Sequence, residues 1–214
     1  GVTALDSITP GDYNIAFGDY SLTATTSGDQ NTALGDSAME SNTTGQYNTA
    51  AGRLTLTANT TGIRNSAFGY EAGKTLTTGA YNTFIGERAG KSQTTATENV
   101  AIGSAALSTN TTGTKIVAIG KNALGASTTS GNNTAVGYHA LTDNTTGTYL
   151  TALGNESLSN NTTGTSNVAI GPWSLLALTT GARNVAIGHD ALKASVTDYD
   201  NTAIGKGALT ANNG

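Results

Sequence analysis

Two histidines, His139 and His189, and fourteen carboxylates are the side chains that could do acid–base or metal chemistry in this chain. There is no cysteine, so thiolate ligation, thiol nucleophiles and disulfides drop out at once. An enzyme needs its reactive groups to converge on one reacting atom. Here an internal repeat keeps them apart. The two histidines sit at its corner positions, three repeats from each other, which is roughly 14 Å if each repeat is one stacked rung. Glu71, Glu87, Glu156 and Asp190 fall in four separate repeats. Glu87 beside Arg88, near Glu71, reads as a surface ion-pair cluster. No phosphate-binding loop or nucleophile elbow occurs; the glycines belong to the repeat. The chain is therefore read as non-enzymatic, with no cofactor and no metal.

The repeat is strict. Starting at Asn14, one register recurs every seventeen residues through Asn201, twelve times without drift. The consensus is N-[TV]-A-φ-G-x-x-A-L-x-x-N-T-T-G-x-x, with φ a large apolar residue. Position one is Asn in ten copies, with Ile116 and Leu150 the exceptions, and position five is always Gly. Position nine is Leu or Met in ten copies, with Gly73 and Gly90 the exceptions. Spacing that tolerates no insertion is expected where each copy stacks on the next. Of 24 charged residues, all but Asp198 fall at positions six, seven, ten, eleven, sixteen or seventeen, which marks those places as solvated corners.

Seventeen residues are too few for two packed helices, and Gly, Asn and Thr oppose helix. The β-branched second and apolar fourth positions suit a short strand, and N-T-T-G is turn chemistry. The expected fold is all-β: a β-solenoid of twelve seventeen-residue coils, a rod on the order of 58 Å long. It forms one repeat array over residues 1–214, with a partial coil at 1–13, eleven full coils at 14–200 and a partial coil at 201–214. Gly1, Ala4, Leu5, Thr9 and Gly11 already fit the register, and the last coil breaks off at Gly214. With no polar cap at either end, the array reads as an excerpt of a longer fibre.

Strand alternation sends positions two and four to one side, and three and five to the other. The small residues are expected inside. Outside lies an apolar ridge: Phe17, Leu34, Phe68, Ile85, Ile102, Ile119, Val136, Leu153, Ile170, Ile187 and Ile204, with Ala51 its small member. A lone solenoid would leave that ridge in water, so a parallel homo-oligomer is expected. Position three is Ala everywhere except Phe84, in the same neighbourhood as Gly73 and Gly90. That exchange of bulk predicts that positions three and nine share the interior.

Other columns carry further expectations. Stacked Asn at position one predicts an amide ladder along the axis. Asn42, Asn59, Asn110, Asn144 and Asn161 lie in N-T-T sequons but are read as turn residues. Position thirteen is Thr from Thr26 to Thr179, with Val196 the exception. Such a threonine ladder either satisfies corner backbone groups or orders water, as an ice-binding solenoid would; ice binding is the alternative function. Tyr20, Tyr70, Tyr138 and Trp173 at the first corner, and Tyr13, Tyr47, Tyr81 and Tyr149 at the second, are the candidates for partner contact, or else pad the corners.

N-[TV]-A-I-G followed by A-L resembles the SVAIG-type repeats of YadA-like heads of trimeric autotransporter adhesins. The full consensus is similar to the arrays of phage-tail-fibre-like and bacterial surface proteins, which often precede a self-cleaving chaperone domain. The resemblance spans the whole chain, although the repeat is longer than the usual head repeat. It implies parallel β-rolls associated as homotrimers, an extracellular place on a cell surface or virion, and a host glycan or protein as receptor. The net charge of −4 offers no basic stripe for nucleic acid, and no apolar run approaches membrane length.

Overall fold

The computed structural model describes residues 4–5 and 11–210. Gly1, Thr9 and Gly214, which the register argument used, lie outside them. The chain winds as a β-solenoid with coils of about seventeen residues. Twelve three-residue strands, β1 (Ile15–Phe17) through β5 (Thr83–Ile85) to β12 (Thr202–Ile204), form one parallel sheet in sequence order. Each residue pairs with the one seventeen places on, as in Ala16 with Ala33 and Phe17 with Leu34. No helix occurs among the described residues.

Each strand covers positions two to four, and alternation works as expected within it. Position three is buried from Ala33 through Ala203, whereas positions two and four point outward. Opposite position three lies Leu or Met of position nine, fully buried from Leu22 through Leu192. The Phe84 exchange is confirmed. A Cβ added at Gly90 would lie 2.5 Å from Phe84 Cδ1, and one at Gly73 would lie 2.6 Å from Phe84 Cδ2. The phenyl ring fills what two leucines fill elsewhere.

Position five departs from the alternation. The strand has ended, and Gly takes φ of 121–143°, a region only glycine enters freely. A Cβ there would not point at the interior but meet the next coil: at Gly35 it would lie 2.5 Å from the Gly52 carbonyl oxygen. The invariance of this glycine reflects close coil-to-coil approach.

The corners are tighter than N-T-T-G suggested. Positions seven, nine and seventeen adopt left-handed φ in coil after coil, for example Glu71 (56°), Leu56 (49°) and Lys115 (59°). For non-glycine residues this costs roughly 1–2 kcal/mol each. At position nine the burial of a leucine side chain, about 1.5–3 kcal/mol, offsets it. Two turns per coil close with backbone bonds, such as Ala38 N–H to Gly35 C=O (3.2 Å) and Asn42 N–H to Met39 C=O (3.1 Å).

Two columns of buried asparagine complete the interior. Along position one, Asn48 Nδ2 donates to Asn31 Oδ1 (3.2 Å) and the Asn48 backbone N–H donates to the same oxygen (3.0 Å). The pattern repeats from Asn14 to Asn99 with few changes, so the expected amide ladder exists. At Ile116 and Leu150 the backbone N–H still reaches the preceding asparagine oxygen, at 2.9 Å in each case. An apolar residue there strands no asparagine oxygen. The second column is position twelve, whose asparagines sit in turns as expected and are also buried.

Candidate functional site

The outward surfaces of the coil carry the ridge and the corner aromatics. Along the ridge, Phe17 and Ile204, in the first and last strands, are 74% and 69% exposed. Leu34, Phe68, Ile85 and Leu153 are also exposed, while Ile102, Ile119, Val136, Ile170 and Ile187 are half-buried by their neighbours. These residues therefore form one apolar file on the outer face of the sheet.

The aromatics sort into engaged and open groups. Arg64 lies between Tyr47 and Tyr81, with its guanidinium 5.1 and 5.5 Å from the two ring centroids and a 2.8 Å bond to the Tyr81 hydroxyl. Tyr70 has Arg53 at 6.0 Å. Trp173 meets His189 edge-on at 5.0 Å and Lys193 at 5.2 Å. Tyr138 packs on His139 at 4.2 Å. Among the described residues, Tyr13, Tyr20 and Tyr149 of the eight candidates carry no such neighbour. Tyr138 and His139 also border a shallow cleft of about 230 Å³ with Thr142, Asp143, Glu156, Ser159 and Asn160.

The titratable groups pair locally. His139 Nε2 is 3.2 Å from Asn122 Nδ2, and His189 Nδ1 is 2.8 Å from Asp190. Lys193 also reaches Asp190 at 2.8 Å and, with His189, holds its carboxyl below the usual range. Among the described residues, no three His, Asp or Glu side chains gather as a metal site. The expected ion-pair cluster is present, with Arg88 3.6 Å from Glu87 at the surface, but its Glu71 end is buried. Glu71 is only 5% exposed, and Lys74 (2.7 Å), Lys91 (2.8 Å) and Arg88 (3.3 Å) close on it from two coils. The hydrogen bonds from Lys74 and Lys91 pull its carboxyl from 4.5 to about 2 against the opposing effect of burial.

The sequon asparagines Asn42, Asn59, Asn110, Asn144 and Asn161 are fully buried, so none presents its amide for a glycan. They form the position-twelve column. Asn59 Nδ2 donates to Asn42 Oδ1 and Asn161 Nδ2 to Asn144 Oδ1, both at 2.9 Å. Asn59 Oδ1 and Asn161 Oδ1 then find no partner, because the next coils offer Leu76 and Leu178. Position twelve also trades with position fifteen. Where twelve shrinks to Ser127 or Ser195, fifteen becomes Ser130 or Asp198, and each pair bonds at 2.6 Å. That covariation was visible in the sequence and explains the one charge out of register.

The position-thirteen threonines brace the coils. From Thr26 to Thr179 each hydroxyl donates to the backbone carbonyl of the next coil at 3.0–3.3 Å. Of the two expectations for this column, the backbone-satisfying one describes it.

The fold and these surfaces define a β-solenoid repeat protein. Comparison with known proteins finds no matching family model, no similar curated protein and no similar solved structure.

Proposed function

We propose that this chain is a structural and adhesive segment of an extracellular homotrimeric fibre, a surface adhesin head or a phage-type tail fibre. It serves as a rigid, non-enzymatic spacer, and its open corner aromatics, Tyr20 and Tyr149 among them, contact a host glycan or protein. One observation carries the reading: the apolar ridge runs unbroken along the outer face of all twelve strands. A continuous apolar file of that length favours cover by protein over contact with water. A second copy has the same file at the same rung spacing, so parallel self-association needs no separate partner to match it, and cyclic symmetry closes the assembly. The resemblance to trimeric head repeats supports three as the number.

Sedimentation equilibrium of the 214-residue chain tests this. The expected mass is three times the 21.4 kDa of the chain. Replacing Ile102 and Ile119 with Lys is expected to yield folded monomers. A monomeric parent chain with an intact β circular-dichroism spectrum would overturn the reading.

A further inference from the structure

Two outward positions stay uniform in kind along the array. Position four, the apolar ridge, has been accounted for above. The other is position fourteen: it is threonine from Thr44 through Thr197, ten coils in succession, preceded by Ser27. All ten are exposed, and among the described residues no protein group takes their hydroxyls. Copying of the repeat does not explain this, because the neighbouring positions sixteen and seventeen were copied with it and diverged freely. The fold does not explain it either, since the bracing hydroxyls belong to position thirteen.

Position sixteen adds a second file. Residues fourteen to sixteen are exposed, buried and half-buried in turn, so in these coils both fourteen and sixteen reach the surface. Through the middle of the rod this presents the pairs Thr95 and Thr97, Thr112 and Thr114, Thr146 and Thr148, and Thr163 and Thr165. No hydroxyl in these pairs bonds to protein. No charge falls in either file between Thr95 and Thr165, and the one gap in the second file is Gly131, beside Thr129.

The chemistry of such a face is specific. Each threonine offers a methyl that orders adjoining water and a hydroxyl that anchors it. The rungs repeat at about 4.8 Å. The β-branched side chains are stiff, so little freedom is lost on binding. The adjoining position-thirteen ladder holds each rung to the next. A surface that presents water-ordering groups at fixed intervals, without charge, matches a ligand that is itself a lattice of water. We propose that the Thr95–Thr165 face binds ice.

The test uses the whole chain. Thermal hysteresis and faceted ice-crystal growth are expected from the purified protein. The triple variant Thr112→Lys, Thr146→Lys, Thr163→Lys is expected to lose both, with its melting curve unchanged because the sites are exposed. Ser166→Lys, at exposed position seventeen, is expected to keep both. Absence of hysteresis and ice shaping in the folded parent chain would overturn the proposal, as would full activity in the triple variant or equal loss in the Ser166→Lys control. Retention on crystalline chitin or cellulose without any effect on ice would overturn it too. The inference does not rest on the fibre reading, and its readout is separate from the mass measurement that tests that reading.

Discussion

Residues 67–96 and residues 135–164 build the same two coils by different means. In the second stretch the buried positions three, nine, twelve and fifteen read Ala135, Leu141, Asn144, Gly147, then Ala152, Leu158, Asn161, Gly164. In the first they read Ala67, Gly73, Leu76, Gly79, then Phe84, Gly90, Gln93, Ala96. Strand register passes through both without a shift. The comparison teaches that the coil conserves filled volume through compensating changes, whereas each stretch leaves a buried amide atom unpaired, Gln93 Nε2 in the first and Asn161 Oδ1 in the second. One phenyl ring replaces two leucines. The irregular stretch also carries the buried Glu71 cluster, which has no counterpart in the regular one.

The strongest way to break this equivalence is Phe84→Ala. With Gly73 and Gly90 unable to refill the space, it should cost about 3–5 kcal/mol in urea unfolding. Adding Gly73→Leu and Gly90→Leu rewrites the stretch in the regular form and should return most of that loss. A triple variant as weak as the single one would show that the compensation lies elsewhere. Next in size, Asn65→Ala interrupts the position-one ladder where it crosses the irregular stretch. Asn82 loses the acceptor for its backbone N–H and one Nδ2 hydrogen, and Gly79 C=O loses its donor. The expected loss is about 3 kcal/mol. Asn161→Ala in the regular stretch should cost less, because Asn161 Oδ1 already lacks a partner.

Acid sharpens the contrast. The Glu71 carboxyl titrates lower in the folded chain than in the unfolded one, so its ion pairs contribute full stability above pH 4.5 and lose it as pH falls towards about 2. Glu71→Gln should flatten that segment of the melting-temperature profile and lower stability at neutral pH. An unchanged acid slope in the variant would remove Glu71 from the account. The smallest effect is expected at a corner that both stretches share. Lys115→Asn puts a residue tolerant of left-handed φ at an exposed position seventeen, and should stabilise the chain by about 0.5 kcal/mol.

Much of the architecture was legible because stacked repeats are nearly one-dimensional. The period, the inward Ala and outward Ile of each strand, the pairing of Phe84 with Gly73 and Gly90, and the position-one amide ladder all follow from recurrence and from the two-residue alternation of a strand. The candidate surfaces were legible only in part. The ridge was readable, whereas which aromatics stay open depends on which cations reach them from other coils.

By itself, then, the sequence determined the rung, its spacing and the side of the strand that faces in, because those depend on periodicity alone. Only the tertiary structure decided the corners. There, leucines, tyrosines and glutamates adopt left-handed φ that their side chains do not announce. Those angles turn position twelve inward and use up the hydroxyls of position thirteen, while those of position fourteen stay free. They also close three cations from two coils around Glu71. A corner is set by backbone angles and by contacts with the coils above and below, neither of which a run of letters along one coil contains.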